Sequence, residues 1–148
     1  MKEMLRSLVM VSVLVTGLIA CAKPMKSAAA EFIGPFPSWA NVQTEFGAVG
    51  DGKADDTAAI QQALETIKMN ASPKKVLYFP AGVYRITKKL QLTRISHSEP
   101  LGMSIVGEDP LTTIIKWDGP AGENILLYDS WFASISRLTL DSAGTAKT

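Results

Sequence analysis

Short runs of β-forming residues, separated by turn residues, dominate the chain after residue 75. Seven runs follow one another, at 75–79, 83–86, 90–92, 103–106, 113–116, 125–127 and 135–140. Segments rich in glycine, proline and aspartate lie between them, at 80–82, 107–110 and 118–122. This pattern predicts a fold built from short strands. Periodicity alone allows either a β-sandwich or a solenoid of stacked coils.

One helix is predicted ahead of these runs, at about residues 56–69. Its apolar residues recur at helical spacing and form one stripe: Ile60, Ala63, Leu64 and Ile67. Asp55 or Asp56 is expected to cap the helix N-terminus, because a carboxylate there accepts backbone N–H groups and faces the positive end of the helix dipole.

The stretch before the helix, FGAVGDGKADDT at 46–57, raises the question of a bound ligand. Its Gly-x4-Gly-Lys spacing fits a phosphate-binding loop, but Ala54 stands where that loop needs Ser or Thr. An EF-hand starting at Asp51 is also excluded, because Lys53 and Gln62 occupy ligand positions. We therefore interpret the stretch as a loop that builds the fold, with its glycines turning the chain away from a strand that ends near Phe46.

The same stretch resembles the N-terminal signature of the pectate-lyase-like superfamily, in its rhamnogalacturonase- and epimerase-like branch. A second signature, YFPAGVYRI, follows at 78–86. The residues that carry the resemblance are Gly47, Gly50, Asp51, Gly52, Asp55, Asp56, Thr57, Pro80 and Gly82. The resemblance implies an all-β solenoid, a single-stranded right-handed parallel β-helix. Residues 39–148 would be its N-terminal part, with only the first coils present and the helix capping the first coil.

The resemblance also implies a function. The protein is expected to act on an acidic polysaccharide as lyase, glycoside hydrolase or epimerase, with calcium as a cofactor if it is a lyase. No end cap follows residue 141, so the chemistry is expected beyond residue 148 and this fragment alone is expected to be inactive. The alternative is a non-catalytic surface lipoprotein that uses the β-helix as a glycan-binding or assembly scaffold, because a fold does not choose a function.

Residues 1–20 have the layout of a secretory signal, with Lys2 and Arg6 ahead of an apolar run too short to span a membrane. The ending Leu-Ile-Ala-Cys resembles a bacterial lipobox and predicts lipid attachment at Cys21. Two alternatives remain open, cleavage at 28–30 or a buried thiol at Cys21. Residues 21–38 are interpreted as a tether, so the protein is expected to be exported and anchored to the membrane of the cell envelope.

The charge balance bears on the partner. The chain carries a formal net charge of +1, and loss of the leader with Lys2, Glu3 and Arg6 leaves it neutral. A nucleic-acid partner is therefore excluded, since such proteins present a basic surface. Cys21 is the only cysteine, so no disulfide stabilises the exported domain.

Candidates for catalysis are sparse. Asp118 and Asp141 are separated in sequence by about one coil. Asp118 lies in a turn. Asp141, at the outward-facing end of the run 135–140, is therefore the catalytic candidate, and it is a weak one. No metal site is expected, because His97 lacks ligand spacing. Other side chains suit either sugar binding or a structural role: Arg85 and Arg137 by pairing with carboxylates, and Trp39, Trp117, Tyr128 and Trp131 by stacking.

Overall fold

The computed structural model describes residues 33–68, 72–93, 102–129 and 133–146, all within one compact unit, Ile33–Thr148. Within them lie one helix, α1 (Thr57–Lys68), and ten strands. The strands are β1 (Ala40–Asn41), β2 (Asp51–Asp55), β3 (Val76–Phe79), β4 (Gly82–Ile86), β5 (Leu90–Thr93), β6 (Ser104–Gly107), β7 (Thr113–Trp117), β8 (Leu126–Asp129), β9 (Ser134–Ser136) and β10 (Thr139–Asp141).

The strands form three sheets, and every pairing is parallel. Sheet I has the order β1-β3-β6-β9, sheet II the order β2-β4-β7-β10, and sheet III consists of β5 and β8. The chain visits the sheets in rotation, so β3, β4 and β5 are followed by β6, β7 and β8 and then by β9 and β10. Each strand therefore stacks on the strand that occupied the same place in the previous round.

The core lies between the sheets and is made of alternate strand residues. Its members from the first complete round are Leu77, Phe79, Tyr84, Ile86, Leu90 and Leu92, each at most 3% exposed. In-register partners continue the same columns, for example Leu77 with Ile105 and Tyr84 with Ile115. Register is fixed because a slip by one residue would turn each apolar column outward.

The apolar stripe of α1 is buried in this core, as its spacing predicts: Ile60, Ala63, Leu64 and Ile67 are each at most 1% exposed. A void of about 20 Å³ is lined by Ile60 and Leu64 together with apolar residues from all three sheets. Burial of this stripe against the strands stabilises a helix that is too short to persist alone. Among the described residues no helix combines the length and apolar composition needed to cross a bilayer.

Two of the sequence-based strand predictions are wrong. No strand ends near Phe46; β1 stops at Asn41, residues 42–46 form turns, and the supposed loop contains β2. Strand β2 exists because it pairs with β4, where Val83 N–H donates to Gly50 O at 2.8 Å. The run 135–140 is two strands, since Arg137 has a φ of +58° and turns the chain from sheet I to sheet II. The β propensity of these residues does not show that the chain turns there.

Candidate functional site

The signature stretch holds itself together through Asp56. This carboxylate is 2% exposed and accepts the N–H groups of Val49 at 2.6 Å and Gly50 at 3.1 Å. Its own main chain joins α1 to sheet II, because Asp56 N–H donates to Arg85 O and Asp56 O accepts Ile60 N–H. A buried carboxylate requires such partners, so Asp56 serves the loop and not the helix end.

Asp55 is the residue that meets the helix N-terminus. Its Oδ1 accepts the N–H of Thr57 at 3.0 Å and the Thr57 hydroxyl, and its Oδ2 accepts the Thr87 hydroxyl at 2.7 Å. Partial burial alone would raise the pKa of Asp55, but the hydrogen bonds from Thr57 and Thr87, with the nearby Arg85 charge, lower it. The carboxylate therefore stays ionised and ties α1 to the turn after β4.

Asp51 and the glycines shape the start of β2. Asp51 Oδ1 accepts the N–H groups of Lys53 and Ala54, both at 2.8 Å, and these bonds lower the pKa of Asp51. Gly47, Gly50 and Gly52 all have φ between +70° and +76°, a conformation that other residues adopt only with strain. In the part of the chain described, every aspartate of the stretch is thus occupied by the protein itself.

The second signature packs directly on the first. A Cβ on Gly82 would lie 2.8 Å from Gly50 O, so only glycine fits where the two segments cross. Tyr84 is fully buried, and its hydroxyl donates to Pro80 O at 2.8 Å. Burial raises the pKa of Tyr84, so the phenol stays neutral. Pro80 and Gly82 accordingly fix the corner between β3 and β4.

The outer face of sheet II carries a row of charges. Register places Asp55 beside Arg85, Arg85 beside Lys116 and Lys116 beside Asp141, one on each of the four strands. Arg85 Nε also lies 2.6 Å from Asp118 Oδ2. A row of ionic side chains on stacked strands is an arrangement that can face a charged polymer, although exposed pairs of this kind contribute little to stability.

Asp118 and Asp141 have different partners in this row. Asp118 pairs with Arg85, whereas Asp141 Oδ1 accepts Ala143 N–H at 2.9 Å and is half-buried. The structure therefore gives the two aspartates different roles in the turns that follow β7 and β10. A catalytic role for Asp141 remains a prediction.

A groove lies beside the N-terminus of α1 and has a volume of about 450 Å³. We call it the Lys88–Lys89 groove; its lining residues are Asp55, Thr57, Ala58, Gln61, Lys88, Lys89 and Gln91. Neither the groove nor a binding role for its lysines and glutamines is predicted from the sequence. The only available signal was the adjacent Lys88-Lys89 pair in a strand connection, which is indistinguishable from ordinary surface charge.

The other candidate side chains have structural roles where they are described. The Arg137 guanidinium donates twice to Glu108 O, at 3.1 and 2.5 Å. Trp117 is 2% exposed and belongs to the core, whereas Trp39 is half-buried and stacks edge-on with Phe36 at 5.2 Å between ring centroids. The remaining candidates, Cys21, His97, Trp131 and the Tyr128 side chain, lie outside the residues and side chains described.

No cluster of three or more His, Cys, Asp or Glu side chains suited to a metal ion occurs within the described ranges. The hydrogen-bonded aspartates of the signature stretch do not form one.

The sequence profile of the family described as rhamnogalacturonase A/epimerase, pectate lyase-like matches residues 39–131. That span contains both signature segments, β1 to β8 and α1. The chain belongs to this family.

Two individual proteins are similar to parts of this chain. The mannuronan C5-epimerase AlgE3 of Azotobacter vinelandii is 30% identical over 100 residues, which is 68% of this chain and 5% of that protein. A glucan 1,3-beta-glucosidase of Cochliobolus carbonum is 42% identical over 62 residues, 42% of this chain and 7% of the relative.

A solved structure shares the fold. The A-module of the Azotobacter vinelandii mannuronan C-5 epimerase AlgE4 superposes with a TM-score of 0.54 and 27% identity, over 72% of this chain and 30% of the module. This chain thus spans a small part of the length of each relative, between 5% and 30%.

Proposed function

We propose that the described strands are coils of a single-stranded right-handed parallel β-helix capped at one end by α1. The support is the rotation of the chain through three parallel sheets. Parallel crossovers are right-handed in nearly all known cases. Two features of α1 support the cap. Its apolar stripe is buried against the strands, and its Gln61 side chain bonds to the outer edge of β5.

On this scaffold the protein acts on a polysaccharide. Family membership over residues 39–131 carries the proposal, since relatives by name modify mannuronan or hydrolyse glucan. The finer assignment is an acidic polysaccharide modified by lyase, hydrolase or epimerase chemistry. The charged row on sheet II suits an acidic polymer at Lys116, because Arg85 beside it is already paired with Asp118.

The second candidate is a glycan-binding or assembly scaffold without catalysis. Two observations favour it for the described residues: Asp118 is paired with Arg85, and Asp55 is held by three hydrogen bonds. Hydrolases of polysaccharides use two carboxylates that face the bond to be broken. Carboxylates that already have such partners are suited to stabilising the fold or to binding a glycan.

Product analysis distinguishes the two candidates. The protein isolated from its native cells is incubated with polymannuronate, polygalacturonate and a neutral β-glucan. New reducing ends indicate a hydrolase, unsaturated uronate absorbance a lyase, and altered sugar configuration by NMR an epimerase. Binding without any product supports the scaffold. If the chain neither binds nor converts any polysaccharide, the proposed function is wrong.

We also propose export and lipid attachment at Cys21, from the lipobox-like sequence at 18–21. Mass spectrometry of the membrane fraction should find a mature N-terminus at a lipidated Cys21. The substitution Cys21→Ser should release the protein from that fraction. An unmodified thiol on a chain that retains residues 1–20 would contradict the assignment.

A further inference from the structure

The Lys88–Lys89 groove has the size of a ligand site. Its volume of about 450 Å³ lies within the usual range of roughly 300–1,000 Å³ for pockets that hold small molecules or sugar units. It lies beside the capping helix and is distinct from the charged row on sheet II, with which it shares only Asp55.

Hydrogen bonds within the protein hold the residues around the groove in place before any ligand binds. Thr87 N–H donates to Thr57 Oγ1 at 2.9 Å, and the Thr87 hydroxyl donates to Asp55. These bonds fix the short connection that carries Lys88 and Lys89. One helical turn further along α1, the Gln61 side chain exchanges hydrogen bonds with the main chain of Gln91, at 3.0 and 2.8 Å. A preformed wall lowers the entropy cost of binding.

The charge of the groove is positive. Lys88 and Lys89 are exposed, and neither has a carboxylate within ion-pair distance among the described residues. The single acid of the lining, Asp55, already accepts three hydrogen bonds from Thr57 and Thr87. The N-terminus of α1 adds a partial positive charge on the same side.

The groove is also polar in a way that suits a sugar. Threonine and glutamine side chains line it beside the apolar Ala58. The Gln91 side chain is exposed, while its main chain is engaged by Gln61. Amide and hydroxyl groups beside two ammonium groups match a ligand that carries both hydroxyl groups and a carboxylate.

We propose that the Lys88–Lys89 groove binds a uronate unit of an acidic polysaccharide, with the two ammonium groups facing its carboxylate. The inference rests on the proposed function and extends it to a subsite at the helix-capped end of the coils. A polymer bound on sheet II would gain a second point of attachment here, since Asp55 borders both surfaces.

Titration calorimetry of the full chain with polymannuronate, polygalacturonate and a neutral β-glucan tests this subsite. The variant K88Q/K89Q should bind the acidic polymers at least about fivefold more weakly than the wild type. The control K74Q/K75Q makes the same change in net charge at an adjacent lysine pair outside both the groove and sheet II, and its affinity should stay within about twofold. Added salt should weaken wild-type binding and affect K88Q/K89Q less.

The variant Gln91→Glu gives a second test, because it places a negative charge in the groove through an exposed side chain. It should weaken acidic polymers and leave any neutral-glucan binding unchanged. Circular dichroism melts of every variant report folding separately from affinity.

Each outcome of these measurements supports or overturns a stated part of the proposal. Acidic binding that survives both K88Q/K89Q and Gln91→Glu would overturn the subsite and leave the proposed function standing. Equal, salt-independent binding of neutral glucan would overturn the uronate assignment. A folded wild type that binds no polysaccharide would overturn the subsite and the proposed function together.

Discussion

The side-chain amide of Gln61 pairs with the main chain of Gln91 as a neighbouring strand would. Gln61 Nε2 donates to Gln91 O at 3.0 Å, and Gln91 N–H donates to Gln61 Oε1 at 2.8 Å. Gln91 lies in β5, the first strand of sheet III, whose other edge is covered by β8. One helical side chain thus bonds the N–H and C=O groups of Gln91, at an edge with which another strand could otherwise pair.

The substitution Gln61→Ala should lower the free energy of unfolding by about 1–2 kcal/mol, because both bonds to Gln91 and the bond from Gln61 Nε2 to Glu65 Oε1 are lost and the β5 edge is exposed. Urea denaturation measures this change. The neighbouring Gln62→Ala is the control, since Gln62 is exposed and its side chain has no described bond. Equal stability of the two variants would contradict the edge-capping role.

Asp56 is the buried anchor of the signature stretch, and Asp56→Asn tests it. An asparagine side chain offers one acceptor oxygen and would turn an N–H toward Val49 N or Gly50 N. We expect a loss of about 2–3 kcal/mol in the free energy of unfolding.

The control is Asp51→Asn, which also replaces a carboxylate that accepts two backbone N–H groups, but at an exposed position. Its effect should be clearly smaller. If Asp51→Asn destabilises the protein as much as Asp56→Asn, burial of Asp56 is not what matters.

Much of the fold could be predicted from the sequence. The helical spacing of Ile60, Leu64 and Ile67 placed α1 to within a residue at each end, because an apolar stripe must be buried. The strands in the first complete round were placed almost as well. Their alternation follows from in-register stacking over a core.

The rest depends on contacts between distant residues. Strand β2 has the composition of a loop and exists only because β4 offers it an edge. The corner at Arg137 is held by Glu108 O, 29 positions away. The roles of Asp55 and Asp56 could not be separated from sequence, since both precede the helix and only the packing of residues 49–50 and 87 distinguishes them. The Lys88–Lys89 groove forms between α1 and a strand connection for the same reason.

The pKa of Asp55 should respond to Thr87. Since the hydrogen bonds from Thr57 and Thr87 hold the pKa of Asp55 below its usual value of about 3.9, Thr87→Val should raise it. NMR titration of the Asp55 carboxyl measures this, with Asp51 as internal control because its partners Lys53 and Ala54 are unchanged.

The same shift predicts a pH dependence of stability. A carboxyl whose pKa is lower in the folded state stabilises the fold above its unfolded pKa, and this contribution is lost as pH falls through the folded pKa. The stability lost on acidification should therefore be smaller in Thr87→Val than in the wild type. An unchanged Asp55 titration in the variant would contradict the assigned hydrogen bond.

Gly107 is required by the corner that crosses it. A Cβ at this position would overlap the carbonyl oxygen of Arg137, a main-chain atom that cannot move independently. Gly107→Ala should cost about 3 kcal/mol or more in the free energy of unfolding.

Gly144→Ala is the comparison, because Gly144 has a φ of +71° and open space around it. There only backbone strain of about 1–2 kcal/mol is expected. Thermal or urea denaturation ranks the two. A smaller loss for Gly107→Ala than for Gly144→Ala would contradict the crossing of Arg137 over Gly107.

Affinity electrophoresis of the full chain measures directly whether this chain recognises an acidic polysaccharide. The native protein is run through gels that contain polymannuronate, polygalacturonate, neutral β-glucan or no polymer. We expect retardation in the acidic gels that decreases with added salt, and little retardation in the neutral one. A folded protein with the same mobility in all four gels would contradict the claim that this chain recognises an acidic polysaccharide.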